Sequence, residues 1–188
     1  MTMTNDALLE KLRKIRLVIY DVDGVMTDSR IVIGNHENDE QKFFNVKDGL
    51  GVKHLQKLSI KQIILTGKQS NLVTKRFEAL GVDEIFQGKT KKIETFYHIL
   101  EKYNLKPENI LMMGDDLPDL PVLKKSGVAI STKDGHLWLD EYLDYKTQKK
   151  GGKGAVREIT DLILEAHNLK DLVINEYLEN GEMKPHVL

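Results

Sequence analysis

Residues 15–28 read IRLVIYDVDGVMTD, an apolar run that is followed at once by a glycine and three carboxylates. A short apolar run that closes in a glycine-bearing turn is typical of a buried strand. Further short apolar runs lie at 63–65, 84–86, 109–113 and 128–130. The sequence therefore predicts a series of buried strands, and residues 15–20 form the first of them.

Helical patterns separate these strands. They cover residues 5–13, 48–58, 70–80, 91–103, about 117–125 and 154–167. Apolar strands that alternate with helices imply a parallel sheet covered on both faces. We therefore predict an α/β, Rossmann-like fold of three layers, in which residues 1–188 form one domain. Its core spans about residues 12–167, and residues 168–188 form a C-terminal extension.

The composition limits the classes of function. The chain has 188 residues, a net charge of −1 and no cysteine. Absence of cysteine excludes disulfides, thiolate zinc sites and cysteine nucleophiles. A balanced charge favours neither nucleic acid nor an anionic membrane, and no segment approaches the ~18 apolar residues of a membrane span. We expect a cytoplasmic protein that binds neither nucleic acid nor membrane.

Carboxylates follow two of the predicted strands. Asp21 and Asp23 come directly after the first strand, and Asp115 follows the strand at 109–113. Parallel α/β sheets bind ligands beyond the carboxyl ends of their strands, so we expect these side chains to converge. An Asx-rich turn is the plain alternative. A calcium loop is excluded, because it needs an oxygen ligand and a glycine where this chain has Val25 and Met26.

The run from Asp21 to Asp28 resembles the first motif, D-x-D-G-x-x-T-D, of the haloacid dehalogenase superfamily of phosphohydrolases. Thr66-Gly67, after the second strand, resembles the second motif, and residues 114–119, GDDLPD, resemble the fourth. Each segment alone also fits an ordinary strand end or an acidic turn. Their order and spacing together favour the phosphatase-type site.

The third motif places a lysine after the third strand. Three lysines stand there, and a solvated surface cluster is the simple explanation for at least one of them. The related sequences usually read Q-G-x-x-x-K, and Gln87-Gly88 puts Lys92 in that register. We therefore select Lys92 over Lys89 and Lys91.

The resemblance implies a Mg²⁺-dependent phosphatase. Asp21 would be the nucleophile, Asp23 the general acid and base, and Thr66 and Lys92 the groups that hold the phosphoryl oxygens. Asp21, Asp115 and the backbone carbonyl of Asp23 would bind the ion. A cation is needed because two unit charges 4 Å apart repel by about 4 kcal/mol at an effective dielectric near 20. The sequence leaves open whether Asp116 or Asp119 assists the metal site.

The spacing between motifs leaves no room for a large cap domain. The chain between Asp23 and Thr66 fits only a hairpin and a helix, and we predict the hairpin at residues 30–46, with a polar tip at Gly34-Asn35. An isolated two-stranded ribbon is marginally stable. Its apolar side chains either pack on their own domain or assemble with sister hairpins, and we favour a homotetramer formed through residues 30–46.

Three segments resemble the capless, tetrameric branch of the superfamily: FNVKDGLG at 44–51, GDDLPDLP at 114–121 and GGKGAVRE at 151–158. This branch implies an eight-carbon ulosonate 8-phosphate, an acidic sugar phosphate of lipopolysaccharide synthesis, as the substrate. It also implies a site completed by a neighbouring subunit and a tail that closes over the substrate. The candidate substrate-binding residues are Lys47, Asp48, Gly67, Lys68, Lys153 and Arg157.

Two positions depart from the pattern of the branch, which usually has arginine where this chain has Lys68 and Lys153. Lysine keeps the positive charge but lacks the planar fork that grips a carboxylate. An anionic substrate is still expected, but a nine-carbon ulosonate 9-phosphate or another small phosphate ester stays an alternative. A catalytically silent sugar-phosphate-binding scaffold is the non-enzyme alternative, although all the predicted acidic site residues are present.

Two further segments have open interpretations. Gly151-Gly152 fits a mobile hinge for the tail, or a plain loop before a helix. In the extension, one helical face could be formed by Leu172, Val173, Ile174, Tyr177 and Leu178. A packing helix and a partner-binding segment are both compatible with that pattern.

Overall fold

The computed structural model describes residues 5–32 and 40–188. In this part of the chain, six parallel strands form a sheet in the order β3-β2-β1-β4-β5-β6. The strands are β1 (Leu17–Tyr20), β2 (Lys61–Leu65), β3 (Glu84–Phe86), β4 (Ile110–Met113), β5 (Val128–Ser131) and β6 (Tyr145–Lys146). Because β1 lies between β2 and β4, the loops after these three strands leave the sheet side by side.

Helices cover both faces of the sheet. They are α1 (Asn5–Leu12), α2 (Val46–Lys57), α3 (Asn71–Leu80), α4 (Lys92–Tyr103), α5 (Leu120–Leu123), α6 (Ala155–Ala166) and α7 (Lys170–Asn180). Successive strand residues point to opposite faces. Val18 and Tyr20 belong to the core that includes α1, α2, α3 and α6, whereas Leu17 and Ile19 belong to the core with α4 and α5. The predicted three-layer α/β/α fold is confirmed, without a cap domain in the described residues.

Local capping sets the ends of the helices near the site. Asn45 accepts a hydrogen bond from the backbone N–H of Lys47 at 2.8 Å, so α2 begins at Val46, two residues before the predicted start. Ser70 caps α3 in the same way. Gly81 ends α3 in the left-handed conformation (φ +72°), which glycine adopts without strain.

The predicted hairpin at 30–46 needs correction. Among the described residues, Val32 and Gln41 form an isolated antiparallel bridge, which agrees with a reversal of the chain. The predicted second strand at 43–46 is wrong, because Asn45 caps α2 and Val46 is already helical. Phe44 instead packs edge-on against Phe77, with ring centroids 5.6 Å apart. The tip at Gly34-Asn35 lies outside the described residues.

The C-terminal extension forms a packing helix, one of its two predicted interpretations. Val173 of α7 and Met183 beyond it are buried in the core shared with α2 and α6. The hydroxyl of Tyr177 lies 2.9 Å from Nε2 of His54 on α2. The short strand β6 and a 3-10 helix at Leu137–Tyr142 were not predicted. No helix among the described residues is both long and apolar enough to cross a membrane.

Candidate active site

The loops after β1, β2 and β4 form a cavity of about 360 Å³ at the carboxyl edge of the sheet. Backbone hydrogen bonds continue each strand into its loop: the N–H of Asp21 donates to Met113 at 3.0 Å, and that of Thr66 donates to Phe86 at 2.9 Å. The structure brings most of the predicted site residues into this cavity. Its lining includes Asp21, Asp23, Thr66, Gly67, Lys68, Lys92 and Asp115.

Three carboxylates meet in the cavity. Asp21, Asp115 and Asp119 each offer an oxygen within 4.8 Å of the others. Gly24 makes the approach of Asp115 possible, since a Cβ at this position would lie 2.0 Å from the Asp115 carboxylate. Gly24 also has a positive φ of +96°, which favours glycine. Gly24 of the first motif therefore allows the loop after β1 to contact Asp115 in the loop after β4.

Lys92 is the buried cation of the cluster. Its ammonium nitrogen lies 2.8 Å from Asp21 Oδ1 and 2.6 Å from Asp119 Oδ1, and only 4% of the side chain is exposed. Lys89 and Lys91, by contrast, are exposed to solvent. Lys92, the lysine that the Q-G-x-x-x-K register selects, is the first residue of α4 and contacts the carboxylates directly.

The sequence left open whether Asp116 or Asp119 assists the metal site, and the structure shows different contacts for the two. Oδ2 of Asp119 accepts the backbone N–H of Asp115 at 3.0 Å while Oδ1 binds Lys92. Asp116 instead accepts the N–H of Leu117 at 2.7 Å and caps the short 3-10 helix at 117–119. Asp119 therefore belongs to the cluster, whereas Asp116 lines the same cavity but caps the short helix.

The cluster holds more negative than positive charge. Burial, with repulsion from Asp119, raises the pKa of Asp21 to about 6 even beside Lys92. Burial and the charges of Asp21 and Asp119 raise the pKa of Asp115 to about 8. Burial alone would lower the pKa of Lys92, but Asp21 and Asp119 outweigh it and raise that pKa. A divalent cation would offset this excess, and carboxylate oxygens are the ligands that Mg²⁺ prefers, so the residues fit the ion.

Asp23 stands apart from the three carboxylates. Its Oδ1 lies 2.5 Å from the ammonium nitrogen of Lys42 and 3.4 Å from the hydroxyl of Thr27. It lines the same cavity as Asp21 from the adjoining turn. The two carboxylates of the first motif thus have different partners, Lys92 for Asp21 and Lys42 for Asp23.

Two predicted substrate-binding residues have structural partners instead. Asp48 is buried and accepts the backbone N–H groups of Gly154 at 3.2 Å and Arg157 at 2.9 Å, so it caps α6. The guanidinium of Arg157 binds Asp161 at 2.7 Å, one turn along α6. Neither side chain lines the cavity of this chain, so their role in substrate binding stays a prediction.

Lys47 and Lys153 also lie outside the cavity lining. Both are exposed, and Lys153 lies 3.4 Å from Asp28, at the end of the first motif. Within one subunit, the residues that reach the cavity from the substrate-binding set are therefore Gly67 and Lys68.

Of the two interpretations of Gly151-Gly152, the structure agrees with a plain loop before a helix. Both residues are buried, and the N–H of Gly152 donates to the carbonyl of Val25 at 3.0 Å. A Cβ on Gly151 would lie 1.9 Å from the carbonyl oxygen of Gly24. The glycines allow two backbones to touch, so this segment supports the loop that carries Asp21 and Asp23.

Comparisons with known proteins show which family the chain resembles. A sequence model of the haloacid dehalogenase-like hydrolases matches residues 46–127. The 3-deoxy-D-manno-octulosonate 8-phosphate phosphatase of Escherichia coli strain K12 is 42% identical over 164 residues, which cover 87% of each chain. A crystal structure of this phosphatase from Yersinia pestis is 39% identical, with a TM-score of 0.84, and the match covers 87% of this chain and 88% of that one.

A third comparison includes bound ligands. The 3-deoxy-D-manno-octulosonate 8-phosphate phosphatase of Moraxella catarrhalis was crystallised with a magnesium ion, a phosphate ion and a KDO molecule. It is 36% identical to this chain, with a TM-score of 0.88, and the match covers 92% of this chain and 98% of that one. The fold and the acidic cavity are those of a haloacid dehalogenase-like hydrolase. Within that class, the chain belongs to the 3-deoxy-D-manno-octulosonate 8-phosphate phosphatase family.

Proposed function

We propose that the chain hydrolyses 3-deoxy-D-manno-octulosonate 8-phosphate to the free sugar acid and inorganic phosphate, a step in the synthesis of a lipopolysaccharide precursor. The observation that carries this proposal is the meeting of Asp21, Asp115 and Asp119 beside Lys92 at the edge of the sheet. An aspartyl-phosphate intermediate on Asp21 is the chemistry that this arrangement supports best.

In the first step, a carboxylate oxygen of Asp21 attacks the phosphorus in line, and the bond from phosphorus to the sugar oxygen breaks. Asp23 gives its proton to that leaving oxygen. Thr66 and Lys92 hold the phosphoryl oxygens during the transfer. The products of this step are the free sugar acid and a phosphoryl group bound to Asp21.

In the second step, the Asp23 carboxylate removes a proton from a water molecule, and the resulting hydroxide attacks the same phosphorus atom. The bond between phosphorus and Asp21 breaks, which releases phosphate and restores the carboxylate of Asp21. Asp23 ends the cycle protonated, as it began.

Mg²⁺ would be held by the carboxylates of Asp21 and Asp115 and by the backbone carbonyl of Asp23. When bound, it supplies charge that offsets the repulsion between the phosphate and the nucleophile. Asp119 binds the backbone of Asp115 and the side chain of Lys92, so it holds both groups in place.

Only Gly67 and Lys68 of the predicted substrate-binding residues line the cavity of one chain. This supports the proposal that neighbouring subunits of a homotetramer complete the part of the site that binds the sugar. Three apolar side chains near residues 30–46 are exposed: Ile31 at 65%, Phe43 at 49% and Val46 at 83%. Their burial between subunits would cover the open cavity. Light scattering with chromatography tests this proposal, because a stable monomer that is fully active would contradict it.

The choice of substrate is tested by phosphate release with Mg²⁺ and with chelator. The eight-carbon ulosonate 8-phosphate should be hydrolysed with a higher kcat/KM than nine-carbon ulosonate 9-phosphates or hexose phosphates. A preference for the nine-carbon ester is the second candidate, favoured by Lys68 in the cavity where the branch usually has arginine. A preference for an uncharged hexose phosphate would refute both.

We also propose that the enzyme works in the cytoplasm. A chain without cysteine has nothing that a reducing compartment would disrupt. Cell fractionation with an antibody against the chain tests this location.

A further inference from the structure

Lys42 has an unusual position for a lysine outside the family motifs. Its side chain is 7% exposed, and its ammonium nitrogen lies 2.5 Å from Asp23 Oδ1 and 3.7 Å from Glu40 Oε1. The other carboxylate oxygen of Glu40 accepts the hydroxyl of Ser70 at 2.6 Å. Ser70 is the N-cap of α3, so a chain of polar contacts runs from the loop after β1 to the start of α3.

A surface ion pair is the plain explanation of such a contact, and surface pairs contribute about 0–1 kcal/mol. Lys42 differs from that case, because its side chain is almost fully covered. Removing a lysine from water is costly unless the ammonium is paired. Its two carboxylate partners therefore fix the ammonium in one place, and the ammonium in turn restrains Asp23.

The contacts of Asp23 are unequal between its two oxygens. Both Lys42 and Thr27 bind Oδ1, whereas Oδ2 accepts no hydrogen bond from the part of the chain that the structure describes. Asp23 lines the cavity that holds Asp21. The side chain is thus held at one oxygen, and the other is left to exchange a proton with a bound molecule.

We propose that Lys42 is a positioning residue for Asp23: it holds Oδ1 so that Oδ2 faces the leaving oxygen of the substrate. This inference rests on the proposed role of Asp23 as general acid and base. Lys42 transfers no proton itself. It acts by removing the rotational freedom of the Asp23 carboxylate, and misplacement of a catalytic group by a small distance is enough to slow a reaction strongly.

The test compares two leaving groups in single-turnover experiments on the full chain with Mg²⁺. A sugar alkoxide needs a proton to leave, whereas p-nitrophenolate leaves without one. Lys42→Met should slow release of the sugar from its phosphate ester by about 100-fold, the low end of general acid catalysis. The burst of p-nitrophenol from p-nitrophenyl phosphate should stay within about threefold of the parent, since that step needs no acid. KM for the sugar phosphate should change little.

Two further variants check the assignment. Lys42→Arg keeps a charged donor and should recover most of the lost rate. Lys53→Met removes an exposed lysine from α2 and should leave both rates unchanged. Should Lys42→Met unfold, which thermal denaturation reports, Lys42→Gln carries the same comparison, because it is polar but lacks the charge and is one atom too short to replace the ammonium beside Asp23.

A double-mutant cycle separates positioning from a general structural role. Asp23→Asn alone should slow release of the sugar, and adding Lys42→Met should slow it no further, because Lys42 acts only through Asp23. Equal slowing of both leaving groups, an effect on KM alone, or additive losses in the cycle would overturn the inference. Full activity of Asp23→Asn would instead refute the proposed role of Asp23 itself.

Discussion

The cavity at the edge of the sheet and the junction between α2 and α6 both contain buried carboxylates, but their partners differ. In the cavity, Asp21 and Asp115 face another carboxylate, and a single lysine is too little to balance them. At the junction, Asp48 accepts backbone N–H groups of Gly154 and Arg157 and needs no cation. This difference suggests that buried carboxylates without enough positive charge around them belong to the chemical site. A buried carboxylate whose partners are backbone N–H groups, such as Asp48, stabilises the packing of helices instead.

The largest effect should follow from a change to the unbalanced cluster. Asp115→Asn removes one of the two carboxylates proposed to bind Mg²⁺ and should lower kcat by about 1,000-fold or more, the scale of losses at essential groups. Thermal unfolding should occur at the same or a higher temperature in the metal-free variant, because repulsion with Asp21 and Asp119 is relieved. A variant that is both inactive and much less stable would contradict this comparison.

Gly151→Ala should have the next largest effect. The new Cβ would collide with the carbonyl of Gly24 and displace the loop that carries Asp21. We expect kcat to fall by about 10- to 100-fold, as for small misplacements of reacting groups. Calorimetric titration with Mg²⁺ should show weaker binding as well.

Gly154→Ala is the matched control for this prediction. Gly154 has a positive φ of +100°, but a Cβ there meets no atom within 4 Å. It should cost about 1–3 kcal/mol of stability from backbone strain and leave kcat nearly unchanged. Equal losses of activity in the two variants would show that the contact with Gly24 is unimportant.

Asp48→Ala tests the architectural side of the comparison. It leaves the N–H groups of Gly154 and Arg157 without their acceptor, at a cost of about 1–3 kcal/mol for each buried group that stays unpaired. Urea denaturation measures this loss. At a temperature where the variant is folded, kcat and KM should stay close to those of the parent, whereas a large rise in KM would show that Asp48 contributes to substrate binding.

The smallest effect should come from the C-terminal extension. Glu176 on α7 accepts the N–H of Lys184 at 3.0 Å and lies 3.0 Å from Nε2 of His186. The hydrogen bond from the Lys184 N–H, together with the contact to His186, holds the pKa of Glu176 below its usual range. A carboxyl with a lowered pKa stabilises the fold above its unfolded pKa, and the contribution disappears as the pH falls through the folded pKa.

Glu176→Gln should therefore lower Tm slightly at pH 7 and leave activity unchanged. The difference in Tm between the two proteins should shrink as the pH falls below about 4, the usual carboxyl pKa, and vanish once the pH is below the folded pKa of Glu176. Calorimetry across the acid range measures the difference in Tm between the variant and the parent. A difference in Tm that stayed constant with pH would mean that the charge of Glu176 does not contribute to stability.

The sheet and its carboxyl edge could be predicted because the controlling features are local. Short apolar runs fix the strands, and the parallel arrangement brings Asp21, Thr66 and Asp115 together. Asp119 was not assigned, since only the turn geometry of residues 117–119 shows which carboxylate points inward. The strand expected at 43–46 failed because Asn45 caps a helix there, and capping depends on where the helix packs.

Two of the predicted substrate-binding residues, Asp48 and Arg157, lie outside the cavity of this chain for a different reason. The resemblance of GGKGAVRE to the capless branch implies that charged residues of this segment bind the substrate. Within this chain, Gly51 brings α2 so close to Thr160 of α6 that a Cβ on Gly51 would lie 2.7 Å from the Thr160 hydroxyl. Asp48 then lies under the first turn of α6, where backbone N–H groups are available. Such contacts between distant segments leave no local signal in the sequence.

The central claim is that Asp21 carries the phosphoryl group during turnover. The direct measurement is to quench the enzyme during turnover of the sugar phosphate with Mg²⁺, reduce it with borohydride and sequence its peptides by mass spectrometry. An acyl phosphate on Asp21 would be reduced to homoserine, so homoserine should occur at position 21 and only when substrate is present. Rapid phosphate release with unmodified Asp21, or with homoserine at another aspartate, would contradict the account.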